Sequence, residues 1–214
     1  MSSQNIKNII FDFGGVIIDI DYKRSIDAFV KLGCSDFGKI YSQASQTEIF
    51  DKIDKGLISN DEFRNELKKY FPPETTVQMI DDAWNAILIG IPEHRIHLLE
   101  QIRKNYQIFL MSNTNAIHYI EYTKELKEKF GYDDLSCLFE KVYLSFELGM
   151  RKPDQNFFKL ILEENHLSPR ETAFIDDLDL NLIPAQNLGM KTIWLNNGND
   201  VTDLFEDGLI KKSL

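Results

Sequence analysis

One apolar segment decides the fold of this chain: Ile9-Ile10-Phe11-Asp12-Phe13-Gly14-Gly15-Val16-Ile17-Ile18. It carries a single carboxylate, Asp12, which two glycines follow closely. An ionised carboxylate among buried apolar residues is costly unless a metal ion or a charged partner balances it. The segment fits an acidic group at the carboxyl end of a parallel strand, where open α/β sheets bind ligands. It fits equally well a buried strand that ends in an ordinary Gly-Gly turn.

The composition bounds the class of protein. The 214 residues suffice for one large domain or a domain with an insert, and 43% hydrophobic with 27% charged residues is an ordinary globular balance. A net charge of -10 argues against nucleic acid or an anionic membrane as a partner. An anionic substrate stays possible, because one metal ion and one lysine can reverse the local field.

No targeting or redox pattern is evident in the sequence. The polar residues 1–5 lead directly into a strand pattern, and the longest apolar stretch, Ala86 to Pro92, is too short to span a membrane. Cys34 and Cys137 match no metal or redox spacing. We therefore expect a cytoplasmic protein without a membrane partner.

Alternating apolar runs and helical patterns predict the architecture. Four runs are typical of strands buried on both faces, and a fifth is weaker. They are Asn8 to Val16, Gln107 to Ser112, Thr172 to Ile175 and Lys191 to Leu195, with Val142 to Ser145 as the fifth. Helical patterns separate the later runs, so the fold class predicted is α/β, with a Rossmann-like, doubly wound parallel sheet.

A helical insert interrupts this alternation. No strand is predicted between Asp19 and about Gly90, where three helical patterns occur instead. We therefore assign residues 1–18 and 89–214 to the sheet core and residues 19–88 to a helical cap. An insert directly after a candidate catalytic loop is typical of a lid, although a helical decoration without a gating role gives the same pattern.

Two later segments could bind an anion. Ser112-Asn113-Thr114-Asn115 follows a predicted strand, so its hydroxyl and amides could hold an anion or could simply cap the next helix. Arg151 and Lys152 precede Pro153 at the start of another predicted helix. Cations oppose the dipole there, which a bound anion would justify, although a solvated charge pair is an equal possibility.

The pair Asp176-Asp177 ends the predicted strand Thr172 to Ile175. Two adjacent carboxylates repel each other, and Mg²⁺ is commonly held by a few carboxylates together with a substrate phosphate. A helix cap is the alternative interpretation. Nucleophile, hydroxyl, lysine and acidic pair then follow one another along the chain, each at a predicted strand end, which is more specific than any one of the four.

This order of motifs resembles the haloacid dehalogenase-like (HAD) hydrolases over essentially the whole chain. Asp12-Phe13-Gly14-Gly15-Val16 is similar to the first motif of that family, Ser112-Asn113 to the second, Lys152 to the third and Asp176-Asp177 to the fourth. The closest likeness is to the phosphatase branch with a small helical cap. That branch contains sugar-phosphate phosphatases and the phosphatase domain of soluble epoxide hydrolase.

The resemblance implies a role for each motif. Asp12 would attack phosphorus and form an aspartyl phosphate. Ser112, Asn113 through its backbone and Lys152 would bind the phosphoryl oxygens. Metal ligands implied for Mg²⁺ are Asp12, the Gly14 carbonyl, Asp177 and, directly or through water, Asp176. The substrate implied is a small phosphorylated metabolite, most simply a sugar phosphate.

Gly14 departs from the family pattern. Most phosphatases of the family carry there a second aspartate that protonates the leaving oxygen, a contribution of roughly 10²–10⁴-fold. The substrate could have a good leaving group, or another side chain could supply the proton. The candidates in the sequence for that proton are Asp19, Asp21, Lys23 and His118. Without any donor, activity should fall steeply as the leaving alcohol becomes less acidic.

Two other functions stay open. The protein could have lost catalysis and bind a phosphometabolite or a protein partner. It could also be a dehalogenase, whose nucleophile attacks carbon without a metal. Asp176-Asp177 argues against the dehalogenase, because an unneutralised acidic pair beside the nucleophile would suppress its attack.

Overall fold

A five-stranded parallel sheet forms the centre of the molecule. The computed structural model describes residues 6–40, 48–196 and 198–212. Its strands are β1 (Asn8–Phe11), β2 (Asp19–Ile20), β3 (Leu88–Gly90), β4 (Gln107–Ser112), β5 (Lys141–Leu144), β6 (Thr172–Asp176), β7 (Lys191–Trp194), β8 (Phe205–Glu206) and β9 (Leu209–Ile210). The central sheet has the order β5-β4-β1-β6-β7, which places β1 in the middle.

Helices connect these strands. They are α1 (Tyr22–Lys31), α2 (Phe37–Ile40), α3 (Glu48–Asp54), α4 (Asn60–Lys68), α5 (Val77–Asn85), α6 (Glu93–Ile102), α7 (Ala116–Phe130), α8 (Ser145–Leu148), α9 (Gln155–Glu164) and α10 (Asp179–Asn187). Among the described residues, no helix combines the length and the apolar character needed to cross a bilayer.

Helices cover both faces of the sheet, as the apolar strand runs predict. Successive residues of β1 alternate between the faces, so that Ile9 and Phe11 pack into one buried cluster and Ile10 into the other. A strand buried on both faces is apolar throughout, which is why β1, β4 and β6 are visible in the sequence. The predicted α/β fold with a doubly wound parallel sheet is confirmed.

The first strand is shorter than the apolar run predicts. The run Asn8 to Val16 yields a strand only over Asn8–Phe11. Beyond it the Phe13 carbonyl accepts hydrogen bonds from the amides of Val16, Ile17 and Ile18. These bonds close a tight turn, so the second half of the run is buried as a loop.

The segment between β2 and β3 forms a separate block of helices. Helices α1 to α5 share their own aromatic core, in which Phe50 stacks on Trp84 with ring centroids 5.4 Å apart and Phe63 lies 5.1 Å from the Trp84 ring. Phe50 is therefore a core residue of these helices. Ile117 of α7 completes this cluster and joins the helical block to the sheet core.

The prediction of no strand between Asp19 and Gly90 is wrong. β2 and β3 pair antiparallel at the two points where the chain enters and leaves the helical block. Each strand has only two or three residues, too few to show an alternating pattern in the sequence. The short helices α2 and α3 are likewise absent from the three helical patterns recognised in this region.

We expect that Phe63→Ala lowers the free energy of unfolding by about 3–5 kcal/mol, because it removes a fully buried ring from the core shared by the helices of the block. Urea unfolding followed by circular dichroism measures the change. The control is Tyr70→Ala, since that ring is half exposed and its loss should change stability by no more than about 0.5 kcal/mol. Equal effects of the two variants would contradict a single aromatic core.

Candidate active site

The carboxyl ends of the central strands bring the four predicted motifs into one cavity. Asp12 follows β1, Ser112 ends β4 and Asp176 ends β6, all at the same edge of the sheet. These ends meet at a cavity of about 120 Å³, which the helical block covers with Tyr22 and Trp84. A cavity of this size suits a small molecule rather than a segment of a macromolecule.

A buried lysine links two of the carboxylates. The Lys152 side chain is 1% exposed, and its Nζ lies 2.6 Å from Asp12 Oδ1 and 2.7 Å from Asp176 Oδ2. Removing a charge from water is costly unless it is paired at close range, which this geometry provides. The two carboxylates raise the pKa of Lys152 even though burial lowers it, so the ammonium remains charged.

Asn113 fixes the backbone that carries this lysine. Its side-chain Nδ2 donates to the Lys152 carbonyl at 3.0 Å, and its Oδ1 accepts from the Lys152 amide at 2.8 Å. Next to it, the Ser145 hydroxyl accepts from the Thr114 amide and donates to the Thr114 carbonyl, both at 2.9 Å. The loops after β4 and β5 are therefore held together by side chains that bond to backbone.

Asp176 has no free acceptor position in this arrangement. Its Oδ1 accepts from the Leu178 amide and from Asn181 Nδ2, and its Oδ2 accepts from Lys152 and from the same Asn181 nitrogen. A carboxylate offers about four such positions. Asp176 therefore orients Lys152 and Asn181, and the neighbouring carboxylate Asp177 keeps its oxygens for other partners.

The cluster carries an excess of negative charge. Asp12, Asp176 and Asp177 place carboxylate oxygens within 4.8 Å of one another, and Lys152 offsets only one of the three charges. Burial raises the pKa of Asp12 to about 8; Lys152 opposes this shift, and the other two aspartates add to it. Burial and the charge of Asp176 raise the pKa of Asp177 to about 6. A divalent cation would balance the two remaining charges.

The glycine loop leaves room for such a cation. Gly15 has φ +74°, and a Cβ there would stand 2.4 Å from Asp177 Oδ2, so only glycine lets the loop approach this carboxylate. Asp12 and Asp177 thus offer carboxylate oxygens of the kind that Mg²⁺ prefers, and Gly14 lines the same cavity.

Gly14 itself is crowded from the entrance to the helical block. A Cβ at this position would lie 3.2 Å from Ile20 Cδ1. An apolar side chain therefore borders the space where the family pattern places its second aspartate. The absence of a side chain at position 14 therefore matches the packing around Gly14.

Three of the four sequence-predicted proton donors have other partners. Asp19 pairs with Arg95 at 2.8 Å, and Asp21 caps α1 by accepting from the Lys23 amide. Lys23 is exposed and pairs with Asp27 on the next turn of α1. None of these three is among the described residues that line the cavity.

His118 does line the cavity, but it is held neutral. Its Nδ1 lies 2.8 Å from Asn85 Oδ1, and its ring stacks on Trp84 with centroids 4.9 Å apart. Burial lowers its pKa to about 3, because a charged imidazole would lose its water there. The His118 ring thus joins the helical block to the core and is a poor proton donor near neutral pH.

Sequence reasoning missed three polar residues around the cavity: Asp54, Ser145 and Asn181. Asn181 follows the acidic pair by one helical turn, a spacing that could have suggested contact with Asp176. Ser145 lies at the end of the weakest predicted strand, and Asp54 ends a short helix without a recognisable pattern. Only the tertiary fold brings Asp54 to the same cavity as Asp12.

One known family matches most of the chain. Residues 9–195 match the family described as haloacid dehalogenase-like hydrolase. The chain belongs to this family. The match runs from β1 to the end of β7 and so includes every strand of the central sheet together with the helical block.

Several similar proteins are HAD enzymes. D-ribitol-5-phosphate phosphatase of Bacteroides thetaiotaomicron is 36% identical over 200 residues, which cover 91% of this chain and 94% of the relative. A crystal structure of a HAD family enzyme from the same organism, in complex with magnesium and inorganic phosphate, superposes with a TM-score of 0.89 at 36% identity. The matched region covers 94% of this chain and 99% of the chain in that crystal structure.

Two further solved structures are less similar, and the second of them shows a likeness in fold alone. A HAD-like hydrolase from Porphyromonas gingivalis is 32% identical with a TM-score of 0.82, covering 91% of this chain and 93% of its own. The L-2-haloacid dehalogenase of Xanthobacter autotrophicus is only 17% identical, with a TM-score of 0.58. That structure covers 87% of this chain and 76% of its own.

The neutral state of His118 predicts a dependence of stability on pH. The unfolded chain binds a proton at this histidine near pH 6.5, whereas the folded protein binds it only near pH 3. Stability therefore falls as the pH is lowered from 6.5 towards 3, by about 1.36 kcal/mol per pH unit. Between pH 7.5 and 5 this proton uptake lowers the free energy of unfolding of the wild type by about 2 kcal/mol, and His118→Gln should not show this loss.

Urea unfolding at the two pH values measures this difference. The control is His97→Gln, because that imidazole is 60% exposed and hydrogen bonding to Glu100 raises its pKa instead. If wild type and His118→Gln lose the same stability between pH 7.5 and 5, the histidine is not held neutral.

The donor set predicts that Mg²⁺ stabilises the folded protein. At a concentration a hundredfold above its dissociation constant, a ligand of the folded state adds about 2.7 kcal/mol. Asp177→Asn should weaken Mg²⁺ binding, measured by titration calorimetry and by the rise in melting temperature. Asp179→Asn is the control, since this carboxylate is exposed at the start of α10 and should leave Mg²⁺ affinity unchanged. Equal affinities of the two variants would exclude Asp177 as a ligand.

Proposed function

We propose that this chain is a Mg²⁺-dependent phosphatase that hydrolyses a small phosphorylated sugar or polyol. The observation that carries the proposal is the buried Lys152 ammonium between Asp12 and Asp176, beside a carboxylate cluster that needs a divalent cation. The match to a D-ribitol-5-phosphate phosphatase over nearly the whole chain supports the substrate class. A neighbouring structure that holds magnesium and phosphate supports the cofactor.

Asp12 is the proposed nucleophile. It lies at the floor of the cavity with the Lys152 ammonium on one oxygen, which favours the ionised form that attacks phosphorus. Attack forms an aspartyl phosphate and releases the alcohol, and water then hydrolyses the acyl phosphate. This sequence divides one difficult substitution into two easier steps.

Three groups are proposed to bind the phosphoryl oxygens. The Ser112 hydroxyl and the Asn113 amide lie at the end of β4 beside the cavity, and Lys152 brings a positive charge to its floor. Positioned donors of this kind stabilise the charge that develops on phosphoryl oxygens during transfer. Because the Asn113 side chain also fixes Lys152, a single loop places both groups.

We propose Asp12, the Gly14 carbonyl and Asp177 as the ligands of Mg²⁺. When bound, the ion neutralises phosphoryl oxygens and aligns them with the nucleophile. Asp176 contributes at one remove, through the Lys152 ammonium, because its own acceptor positions are filled.

Residues 19–88 are the proposed cap. They follow the Asp12 loop and cover the cavity with Tyr22, Asp54 and Trp84. β2 and β3 lie side by side, so the two chain segments that join the block to the core run next to each other. Such a block can shield an acyl phosphate from bulk water and select the substrate.

The alternatives receive less support. A dehalogenase needs no divalent cation, and the charge excess at Asp12, Asp176 and Asp177 would oppose its chemistry. A binding protein without catalysis would not need a nucleophile held between a lysine and a metal site. It remains the second candidate function, because Gly14 removes the usual acid.

Phosphate release from a panel of sugar and polyol phosphates, with Mg²⁺ or with EDTA, tests the proposal. We expect release only with Mg²⁺ and its loss in Asp12→Asn, because an amide is a poor nucleophile towards phosphorus. The control Asp133→Asn removes an exposed carboxylate and should retain wild-type rates.

Phosphate affinity without release from any ester would favour the binding protein. Full turnover by Asp12→Asn would contradict the nucleophile. Circular dichroism of both variants checks that each one is folded.

A further inference from the structure

The proposed phosphatase lacks an evident donor for the leaving oxygen. Position 14 offers no side chain, and Ile20 borders the space beside it. Alkoxide is a poor leaving group, so hydrolysis of a sugar or polyol ester needs a proton at that oxygen. Among the described residues that line the cavity, the remaining candidates are a carboxylic acid, an imidazole and two phenols.

Three of these four groups are poorly suited. His118 is neutral, and burial lowers its pKa to about 3. Burial raises the pKa of Tyr122 well above its usual value, so its hydroxyl holds its proton tightly. Tyr22 offers a phenol, which is a far weaker acid than a carboxyl group. The fourth group is the carboxyl of Asp54, at the end of α3.

Asp54 reaches the cavity from the helical block, at the end of α3. Asp12 lies at the sheet edge, whereas Asp54 belongs to the cap that covers it, and both line the same cavity. In phosphoryl transfer the attacking and leaving oxygens lie roughly in line. A phosphate held above Asp12 therefore directs its leaving oxygen towards the cap.

Asp54 and Asp12 each contact a cation, and these two cations are consecutive in the sequence. Lys152 holds Asp12 at 2.6 Å, and the preceding Arg151 lies 3.4 Å from Asp54 Oδ2. Asn115 Nδ2 donates to Asp54 Oδ1 at 3.2 Å, so the carboxyl is oriented by the core although it belongs to the cap.

From this placement we propose that Asp54 is the general acid and base that replaces the aspartate missing at position 14. The proposal rests on the phosphatase function given above. As Asp12 bonds to phosphorus and the ester P–O bond breaks, the Asp54 carboxyl gives its proton to the leaving oxygen, and the alcohol departs neutral. The Asp54 carboxylate then takes a proton from the water that attacks the acyl phosphate. Phosphate is released, and Asp12 is regenerated as a carboxylate.

The surroundings of Asp54 suit this exchange of a proton. Its side chain is 14% exposed, and burial raises its pKa above the usual value. Arg151 and the Asn115 amide act in the opposite direction, and Asp51 on the same helix adds a smaller increase. The group can therefore carry a proton at a higher pH than an exposed aspartate.

The experiment compares two esters in wild type and Asp54→Asn, both with Mg²⁺. p-Nitrophenyl phosphate releases an acidic phenol that needs little protonation, whereas D-ribitol 5-phosphate releases an alkanol. The quantity measured is kcat/KM, which reports the steps up to release of the alcohol. We expect Asp54→Asn to lose about 10²–10⁴-fold with the ribitol ester and far less with the nitrophenyl ester.

Asp51→Asn is the matched control. Asp51 lies one helical turn before Asp54 and 3.6 Å from the same Arg151 nitrogen, but it is not among the described residues that line the cavity. Its replacement should leave both kcat/KM values near wild type. A burst of nitrophenol followed by slow turnover in Asp54→Asn would further support the role of base in the second step.

Each remaining result overturns the proposal. Equal losses with both esters would make Asp54 a structural or binding residue, and no loss with the ribitol ester would exclude it as the donor. The same selective loss in Asp51→Asn would assign the effect to Arg151.

If Asp54→Asn fails to fold, wild-type kcat/KM across alkyl and aryl esters decides, because a steep fall with less acidic alcohols excludes any donor. Phosphate release from neither ester by wild type overturns the phosphatase function itself.

Discussion

The site depends on one buried ammonium group. Lys152 can remain charged out of water only because Asp12 and Asp176 contact it at hydrogen-bond distance. Burial raises the pKa of Asp12 to about 8 at the end of this apolar strand, and the Lys152 ammonium acts against that shift by favouring the carboxylate. Neither charge is tolerable alone, so the fold must bring together residues that lie 140 positions apart in the sequence. The parallel sheet does this by placing its strand ends at one edge.

The sequence predicts the core of this protein well and the helical block less well. Strands β1, β4 and β6 are apolar throughout because both their faces are buried, which makes them visible as runs. In contrast, β2 and β3 are too short for any periodicity, and α3 has only seven residues over which an apolar stripe could repeat. Short elements are stabilised by their tertiary contacts, which a local pattern does not contain.

The candidate site divides in the same way. Asp12, Ser112, Lys152 and the pair Asp176-Asp177 are each visible because a polar group follows an apolar run. The partners that orient them are polar side chains within helices or loops, where such residues are common. The sequence also leaves open whether Asp176 is a direct metal ligand. In the structure its carboxylate accepts hydrogen bonds from Leu178, Asn181 and Lys152, and these bonds fill its acceptor positions.

The contact between Gly14 and Ile20 links two positions that look independent in the sequence. An aspartate introduced at position 14 would have its Cβ 3.2 Å from Ile20 Cδ1, with a carboxyl group still to be accommodated. Ile20 Cδ1 would have to give by a few tenths of an ångström to admit that side chain. A change at position 14 is therefore felt first by the residue that opens the helical block, so the catalytic loop and the covering block are coupled through one methyl group.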